Sequence, residues 1–165
     1  KLGGFGEMTT IPALLLIVAG ALQPTETIDR EGSFELSGGN GYLRENYSGF
    51  SYGVTYIGPV VGVGNLTLSY DKLPTGLDSF TVGWRVEHPL SGRCSLSSEF
   101  GLTYVVGGSN VYYSDLLFSI SANLVYQVTD DQGWFIGYEH KSHAYLTGSR
   151  NPGSNTVYAG IIWRF

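Results

Sequence analysis

The chain has 165 residues, of which only 14% are charged, and it contains 24 Gly, 12 Tyr, 8 Phe and 3 Trp. This length accommodates one domain, and the charged fraction lies well below the roughly 25% typical of soluble chains. A net charge of −5 argues against a nucleic-acid partner, which would require a basic surface. Cys94 is the single cysteine, which excludes an intramolecular disulfide and a multi-cysteine metal site. The composition favours an antiparallel all-β protein.

An apolar run of about a dozen residues near the start predicts a secretory signal peptide. It is shorter than the roughly 20 residues of a transmembrane helix, and Ala19-Gly20-Ala21 has the small-x-small pattern of a signal peptidase site. We therefore expect residues 1–21 to be a signal peptide and residues 22–165 to form one exported domain. The alternative is a buried strand or helix that the mature protein retains.

The remainder of the chain consists of short segments in which large apolar residues alternate with small or polar ones. Period-two alternation between turn-forming residues predicts β-strands, and about eight such segments occur. Their apolar positions, in chain order, are Phe34 and Leu36; Phe50, Tyr52, Val54 and Tyr56; Leu66, Leu68 and Tyr70; Phe80, Val82, Trp84 and Val86; Leu96, Phe100, Leu102, Tyr104 and Val106; Leu116, Phe118, Ile120, Ala122, Leu124 and Tyr126; Trp134, Ile136 and Tyr138; and Val157, Ala159, Ile161, Trp163 and Phe165.

The alternation fits two architectures. In a soluble sandwich or a lipocalin-like binder the apolar face points inward, whereas in a membrane barrel it faces lipid. Aromatic residues near the segment ends and small residues on the opposite face favour an eight-stranded antiparallel transmembrane β-barrel. The opposite face also carries charges of both signs that could pair across a dry lumen: Glu35, Arg85, Glu87, Glu99, Glu139 and Arg164. A barrel this narrow is filled by side chains, so an aqueous channel is not expected.

The lengths of the connections predict an orientation in the outer membrane. The long polar connections are expected at residues 38–48, 71–78, 107–114 and 145–154, and the short ones at 58–59, 89–93 and 130–133. Long connections outside and short ones inside are the outer-membrane pattern. The terminal Ile161, Trp163 and Phe165 resemble the signature that the outer-membrane assembly machinery reads; an ordinary last strand is the alternative.

A histidine and a serine stand two residues apart in the seventh predicted strand. His140 and Ser142 share a face with Trp134, which predicts that both lie on the lipid side. At about 3.3 Å per residue and a tilt of about 40°, they lie about 15–20 Å above Trp134, at the depth of the outer leaflet. Histidine is the usual base that activates a serine hydroxyl near neutral pH. The alternative is that both simply lie among the headgroups, where they have little energetic cost.

The stretch Tyr138-Glu-His-Lys-Ser-His-Ala144, followed by Asn151-Pro-Gly-Ser-Asn155, resembles the PagL-type lipid A deacylases, also called acyloxyacyl hydrolases. That family is similar in size and barrel architecture and has an H-x-S-N-A signature followed by N-x-G-x-acid. The resemblance covers about the last 28 residues. It implies that His140 is the general base, that Ser142 is the nucleophile, and that the substrate is the 3-O-linked acyl chain of lipid A in lipopolysaccharide.

Two positions depart from the family pattern. The asparagine that follows the serine in the family, and that helps form the oxyanion hole, is His143 here. The acidic residue that orients the base aligns near Asn155, and no Asp or Glu follows Glu139. An amide can hold the tautomer of an imidazole but stabilises the imidazolium less. We expect Asn155 to orient the base and backbone N–H groups near His143 and Ala144 to bind the oxyanion.

The leading hypothesis is therefore an integral outer-membrane esterase with a Ser/His mechanism and its site facing the outer leaflet. Such an enzyme needs no cofactor and no metal, and His140 and His143 lack a third metal ligand nearby. The alternative is a non-catalytic small barrel of the adhesin or membrane-stability type that acts through its loops. Tyr- and Asn-rich predicted loops, at residues 40–47 and 109–113, favour this alternative.

Overall fold

The structure is a computed structural model that describes residues 32–43, 47–112, 114–143 and 153–165. The predicted signal peptide at residues 1–21 and the predicted oxyanion residue Ala144 lie outside the described residues. Within those ranges no helix is long and apolar enough to cross a bilayer. The elements are β1 (Ser33–Leu43), β2 (Tyr47–Val61), β3 (Gly64–Lys72), β4 (Asp78–Ser91), β5 (Cys94–Val105), α1 (Ser109–Tyr112), β6 (Leu116–Gln127), β7 (Gln132–Ser142) and β8 (Ser154–Arg164).

The eight strands form one closed antiparallel barrel in which each strand pairs with the next. Closure occurs between β1 and β8, whose register runs from Ser33 opposite Arg164 to Leu43 opposite Ser154. Closing the sheet removes the unpaired strand edges that a hydrocarbon environment cannot solvate. The predicted fold class, an eight-stranded antiparallel barrel, is confirmed.

The outer face of the barrel is covered by large apolar side chains that remain exposed. Trp134 is 62% exposed and Ile136 is 56% exposed, whereas the intervening Phe135 is 4% exposed. Such a surface would be unfavourable in water, because each exposed apolar side chain forgoes the stabilisation of burial. The outer face therefore fits contact with lipid, as predicted for a membrane barrel and not for a soluble sandwich.

The inner face carries polar and charged side chains that pair across the lumen. The Arg85 guanidinium lies between Glu35 and Glu99, with Nη2 2.8 Å from Glu99 Oε2. Nearer the long connections, Lys141 Nζ donates to Glu139 Oε2 at 2.6 Å and to Asp71 Oδ2 at 3.2 Å. Buried charges require such partners. The predicted pairing of lumenal charges is confirmed, with Lys141 and Asp71 as additional members.

Two apolar clusters lie above and below these ion pairs. At the end with the longer connections, here called the loop end, Tyr112 of α1 packs with Leu73, Val105 and Leu117. At the opposite end, the turn end, the cluster consists of Ile57, Val125, Phe135 and Ile162. A polar layer of paired charges therefore lies between two apolar clusters inside the barrel.

The connection between β2 and β3 was predicted at residues 58–59, and this prediction is wrong. Strand β2 continues to Val61, and the chain turns at Gly62, whose φ of 66° favours glycine. Gly58 and Pro59 instead lie in a β-bulge between Ile57 and Val60. Proline cannot donate a ladder hydrogen bond, so a bulge accommodates it. Gly58 and Pro59 thus mark an irregularity within a strand and not a turn between two strands.

The first connection is also shorter than predicted. Residues 38–43 continue β1, and residues 47 and 48 already belong to β2, so the predicted loop at 38–48 contracts to residues 44–46. Here glycines let neighbouring backbones approach closely: a Cβ added at Gly39 would lie 2.1 Å from the Val157 carbonyl oxygen. Because glycine has no side chain, the glycine-rich part of β1 shows no alternation of apolar and polar residues, and the sequence did not indicate a strand there.

Candidate functional site

The predicted site lies where the loop-end halves of β7 and β8 pair. His140 on β7 is directly opposite Asn155 on β8, and directly opposed residues on one face have Cβ atoms about 4.5–5.5 Å apart. Both side chains have the parity of the outward, apolar positions Tyr138 and Val157. The antiparallel register thus brings together two residues that are fifteen apart in sequence.

The Asn155 amide oxygen accepts two hydrogen bonds. His140 Nδ1 lies 3.0 Å from Asn155 Oδ1, and the Tyr138 hydroxyl donates to the same oxygen. With Oδ1 facing the ring, Nδ1 carries the proton in this contact, because an amide oxygen only accepts. The unprotonated nitrogen of a neutral ring is then Nε2. This is the tautomer that a general base needs in order to take a proton from a serine hydroxyl.

Ser142 follows His140 on the same strand but is more enclosed. Its residue is 7% exposed, and in the sheet it is opposite Phe118 of β6. Among the described contacts, no hydrogen bond joins Ser142 Oγ to the His140 ring. The structure therefore brings His140 and Asn155 into contact, and places Ser142 on the same face without a direct bond to the base. Apo geometry of this kind does not exclude a catalytic pair.

The neighbouring residues occupy the places that alternation predicts. Glu139 points into the lumen, where it accepts from Lys141, so its carboxylate does not face the His140 ring. His143 is 2% exposed and directly follows Ser142. Its backbone N–H directly follows the candidate nucleophile in sequence, at the position where an oxyanion donor was expected.

Sequence reasoning missed two members of the site. Tyr138 contacts Asn155, and Gly153 lies against the base: a Cβ added there would be 2.8 Å from His140 Cε1. The position of Tyr138, two residues before the histidine on the same face, was the available signal. No such signal existed for Gly153, because its position depends on how the chain enters β8, which the sequence pattern does not specify.

The third histidine and the single cysteine lie elsewhere. His88 is in β4 near the turn end and Cys94 begins β5 as a free thiol, both far along the barrel from His140. No three His, Cys, Asp or Glu side chains of the described ranges are placed to hold a metal ion.

Taken together, the closed eight-stranded sheet, the exposed apolar outer face and the polar lumen are those of a transmembrane β-barrel, the fold in which outer-membrane proteins cross the bilayer. Three solved structures illustrate the shared fold. The outer membrane enzyme PagL superposes with a TM-score of 0.60 at 15% identity, covering 81% of this chain and 99% of that one. Neisserial surface protein A gives 0.57 at 14% identity over 82% and 97%. A de novo designed transmembrane β-barrel gives 0.58 at 15% identity over 82% and 98%.

At these identities the likeness concerns the fold alone. The three neighbours comprise one enzyme, one surface protein and one designed barrel, so the shared barrel does not by itself specify an activity. No family model and no curated protein matches the chain. An enzymatic activity would therefore depend on the side chains at β7 and β8.

Proposed function

We propose that this protein is an outer-membrane esterase that removes an ester-linked acyl chain, the 3-O-linked chain of lipid A, from lipopolysaccharide. The observation that carries the proposal is the contact between His140 Nδ1 and Asn155 Oδ1 on the outward face. It leaves His140 Nε2 as a proton acceptor two residues from a serine. The resemblance of residues 138–155 to lipid A deacylases supplies the substrate class.

The chemistry follows from these groups. Ser142 Oγ attacks the ester carbonyl while His140 Nε2 accepts the hydroxyl proton. As the intermediate collapses and the bond to the sugar oxygen breaks, the imidazolium protonates that oxygen, which leaves as a free hydroxyl. Water, activated by the same histidine, hydrolyses the acyl-serine and releases the fatty acid. Backbone N–H groups of His143 and Ala144 are the proposed donors to the oxyanion. Asn155 holds the ring, and its neutral amide stabilises the imidazolium less than a carboxylate would.

The location of the pair suits a lipid substrate. On the outward face His140 is opposite Ile120 of β6, and the positions below it on β7 and β8 are the exposed Ile136 and Val157. An acyl chain could contact these side chains without leaving an apolar environment. With the longer connections outside the cell, the site would face the outer leaflet, where lipopolysaccharide resides. Residues 1–21 would direct export, and the assembly machinery would read the terminal strand.

A second candidate is a non-catalytic barrel that acts through its loops. The observation in its favour is that Ser142 is enclosed and makes no described bond with His140. Neisserial surface protein A provides a structural precedent for the same barrel as a surface protein. On this hypothesis His140, Ser142 and Asn155 contribute only to the stability of the barrel.

Mass spectrometry of lipid A from a Gram-negative host separates these functions. The host would express the wild type, Ser142→Ala, His140→Ala and a matched control, Ser98→Ala, which changes an outward-facing serine on β5. We expect loss of one hydroxyacyl chain with the wild type and the control only. Heat-modifiable migration on gels would show that every variant is folded.

Two results would contradict the proposal. Deacylation that persists in Ser142→Ala or His140→Ala would remove the proposed mechanism. Unchanged lipid A with a folded wild type in the outer membrane would favour the loop-acting barrel. Deletion of the connection between β5 and β6 should then abolish surface binding.

A further inference from the structure

The Tyr138 hydroxyl occupies an unusual position for a lipid-facing residue. Tyr138 is 45% exposed on the apolar outer face, and its hydroxyl donates to Asn155 Oδ1, the atom that also contacts His140 Nδ1. A phenol in a hydrocarbon environment needs a partner for its hydroxyl. Here Asn155, the side chain that orients the candidate base, accepts from that hydroxyl.

An asparagine differs from an acid as an orienting group because its two ends are not equivalent. With Oδ1 towards the ring, Nδ1 is protonated and Nε2 can accept a proton. With the amide reversed, Nδ2 would donate to Nδ1, the ring proton would move to Nε2, and the base would be blocked. A carboxylate has two acceptor oxygens, so it imposes the productive tautomer in either orientation.

We propose that Tyr138 is a positioning residue that fixes the orientation of the Asn155 amide and thereby selects the Nε2-accepting tautomer of His140. This inference rests on the proposed esterase function and deepens it. The Tyr138 hydroxyl favours the amide oxygen because its O–H donates to Oδ1. With the amide reversed, Nδ2 could still donate to the phenol oxygen, but the O–H would lose this acceptor on an apolar face. In effect, an amide and a tyrosine together replace one carboxylate.

The expected magnitude follows from a single neutral hydrogen bond, which contributes about 1 kcal/mol and hence about fivefold in an equilibrium. Because kcat follows the fraction of His140 in the Nε2-accepting tautomer, Tyr138→Phe should lower kcat by about two- to fivefold. It should leave KM within about twofold, since substrate contacts persist. In an Asn155→Asp background the same substitution should change kcat by less than about twofold, because the carboxylate no longer needs an orienting donor. Tyr104→Phe, which removes another exposed outward-facing hydroxyl, is the matched control.

A spectroscopic measurement makes the test independent of activity. The full-length barrel with ¹⁵N-labelled histidine, in micelles at about pH 9 where an ordinary imidazole is neutral, reports which ring nitrogen of His140 carries the proton. His140→Gln assigns the signal. We expect the Nδ1-protonated form in the wild type and in Ser142→Ala, and a mixture of tautomers in Tyr138→Phe.

The outcomes separate the two proposals. The role of Tyr138 would be overturned by an unchanged tautomer in Tyr138→Phe. It would also be overturned if Tyr138→Phe lowered kcat equally in the wild-type and Asn155→Asp backgrounds. A tautomer mixture in Tyr138→Phe would support it even if lipid A is never deacylated, and that second result would count against the esterase alone.

Discussion

Removal of the Arg85 side chain tests the lumenal ion pairs most directly. Arg85 is 5% exposed and is held between Glu35, 4% exposed, and Glu99, 9% exposed. Arg85→Met leaves two carboxylates buried without their cation. Breaking a buried pair in this way typically costs about 3–5 kcal/mol. Thr67 Oγ1 still donates to Glu99 at 2.9 Å, which lessens the loss at that carboxylate but not at Glu35.

Urea unfolding in detergent micelles provides the assay, monitored by tryptophan fluorescence. All three tryptophans lie on the outward face, so their emission reports transfer from detergent to water. The triple variant Glu35→Gln/Arg85→Met/Glu99→Gln removes every charge of the cluster and should return to within about 2 kcal/mol of the wild type.

The control is Lys72→Met, which breaks the partly exposed bridge to Asp78 and should not shift the midpoint resolvably. If Arg85→Met loses less than about 1 kcal/mol, or if the triple variant is no more stable than Arg85→Met, the buried charges are not the source of the effect.

Three further perturbations test other parts of the molecule. Gly39→Ala should disrupt the pairing of β1 with β8, because its Cβ would lie 2.1 Å from a carbonyl oxygen. Heat-modifiable migration on gels should then be lost. The control Gly58→Ala, whose Cβ would have its nearest contact at 3.3 Å, should fold. Gly153→Ala should displace the His140 ring and lower kcat at least tenfold with an unchanged unfolding midpoint, as small misplacements of catalytic groups do; normal kcat would contradict the site. Burial raises the pKa of the Tyr112 phenol above its unfolded value near 10, so the loop-end cluster is fully stable below about pH 10 and loses stability as the pH rises above it. Tyr112→Phe should therefore lose less stability than the wild type between about pH 9 and 11. An identical loss would show that the pKa of the phenol is the same in the folded and the unfolded chain.

Much of the barrel could be predicted because side chains alternate between the two faces of a strand, and this alternation is visible within a short segment of sequence. Trp134, Ile136 and Tyr138 alternate with small and charged residues, and the structure places the first set outside and the second inside. The lumenal parity of Glu139 followed from the same rule. The alternation rule failed at the glycines of β1, because glycine has no side chain to mark a face. At Pro59 the proline was interpreted as a turn, although it lies in a bulge within β2.

The contacts between distant residues could not be predicted in this way. Arg85 and Glu35 are fifty positions apart, and their pairing depends on the stagger with which the barrel closes. The one-turn helix α1 was likewise not predicted, because four residues carry too little periodicity to be recognised.

The candidate site shows the same division. Its proposed catalytic pair, His140 and Ser142, could be selected from the sequence, because two residues on one strand share a face whatever surrounds them. The contact of His140 with Asn155 was anticipated only through a family resemblance, and the contact of Tyr138 with the same oxygen was not anticipated at all. Both depend on the register between β7 and β8, which aligns His140 with Asn155 rather than with a neighbour. The sequence by itself thus determined the class of barrel and the face that carries the candidate site. Only the tertiary structure decided which side chains meet there, because strand register and barrel closure are set by the whole sheet and not by any one segment.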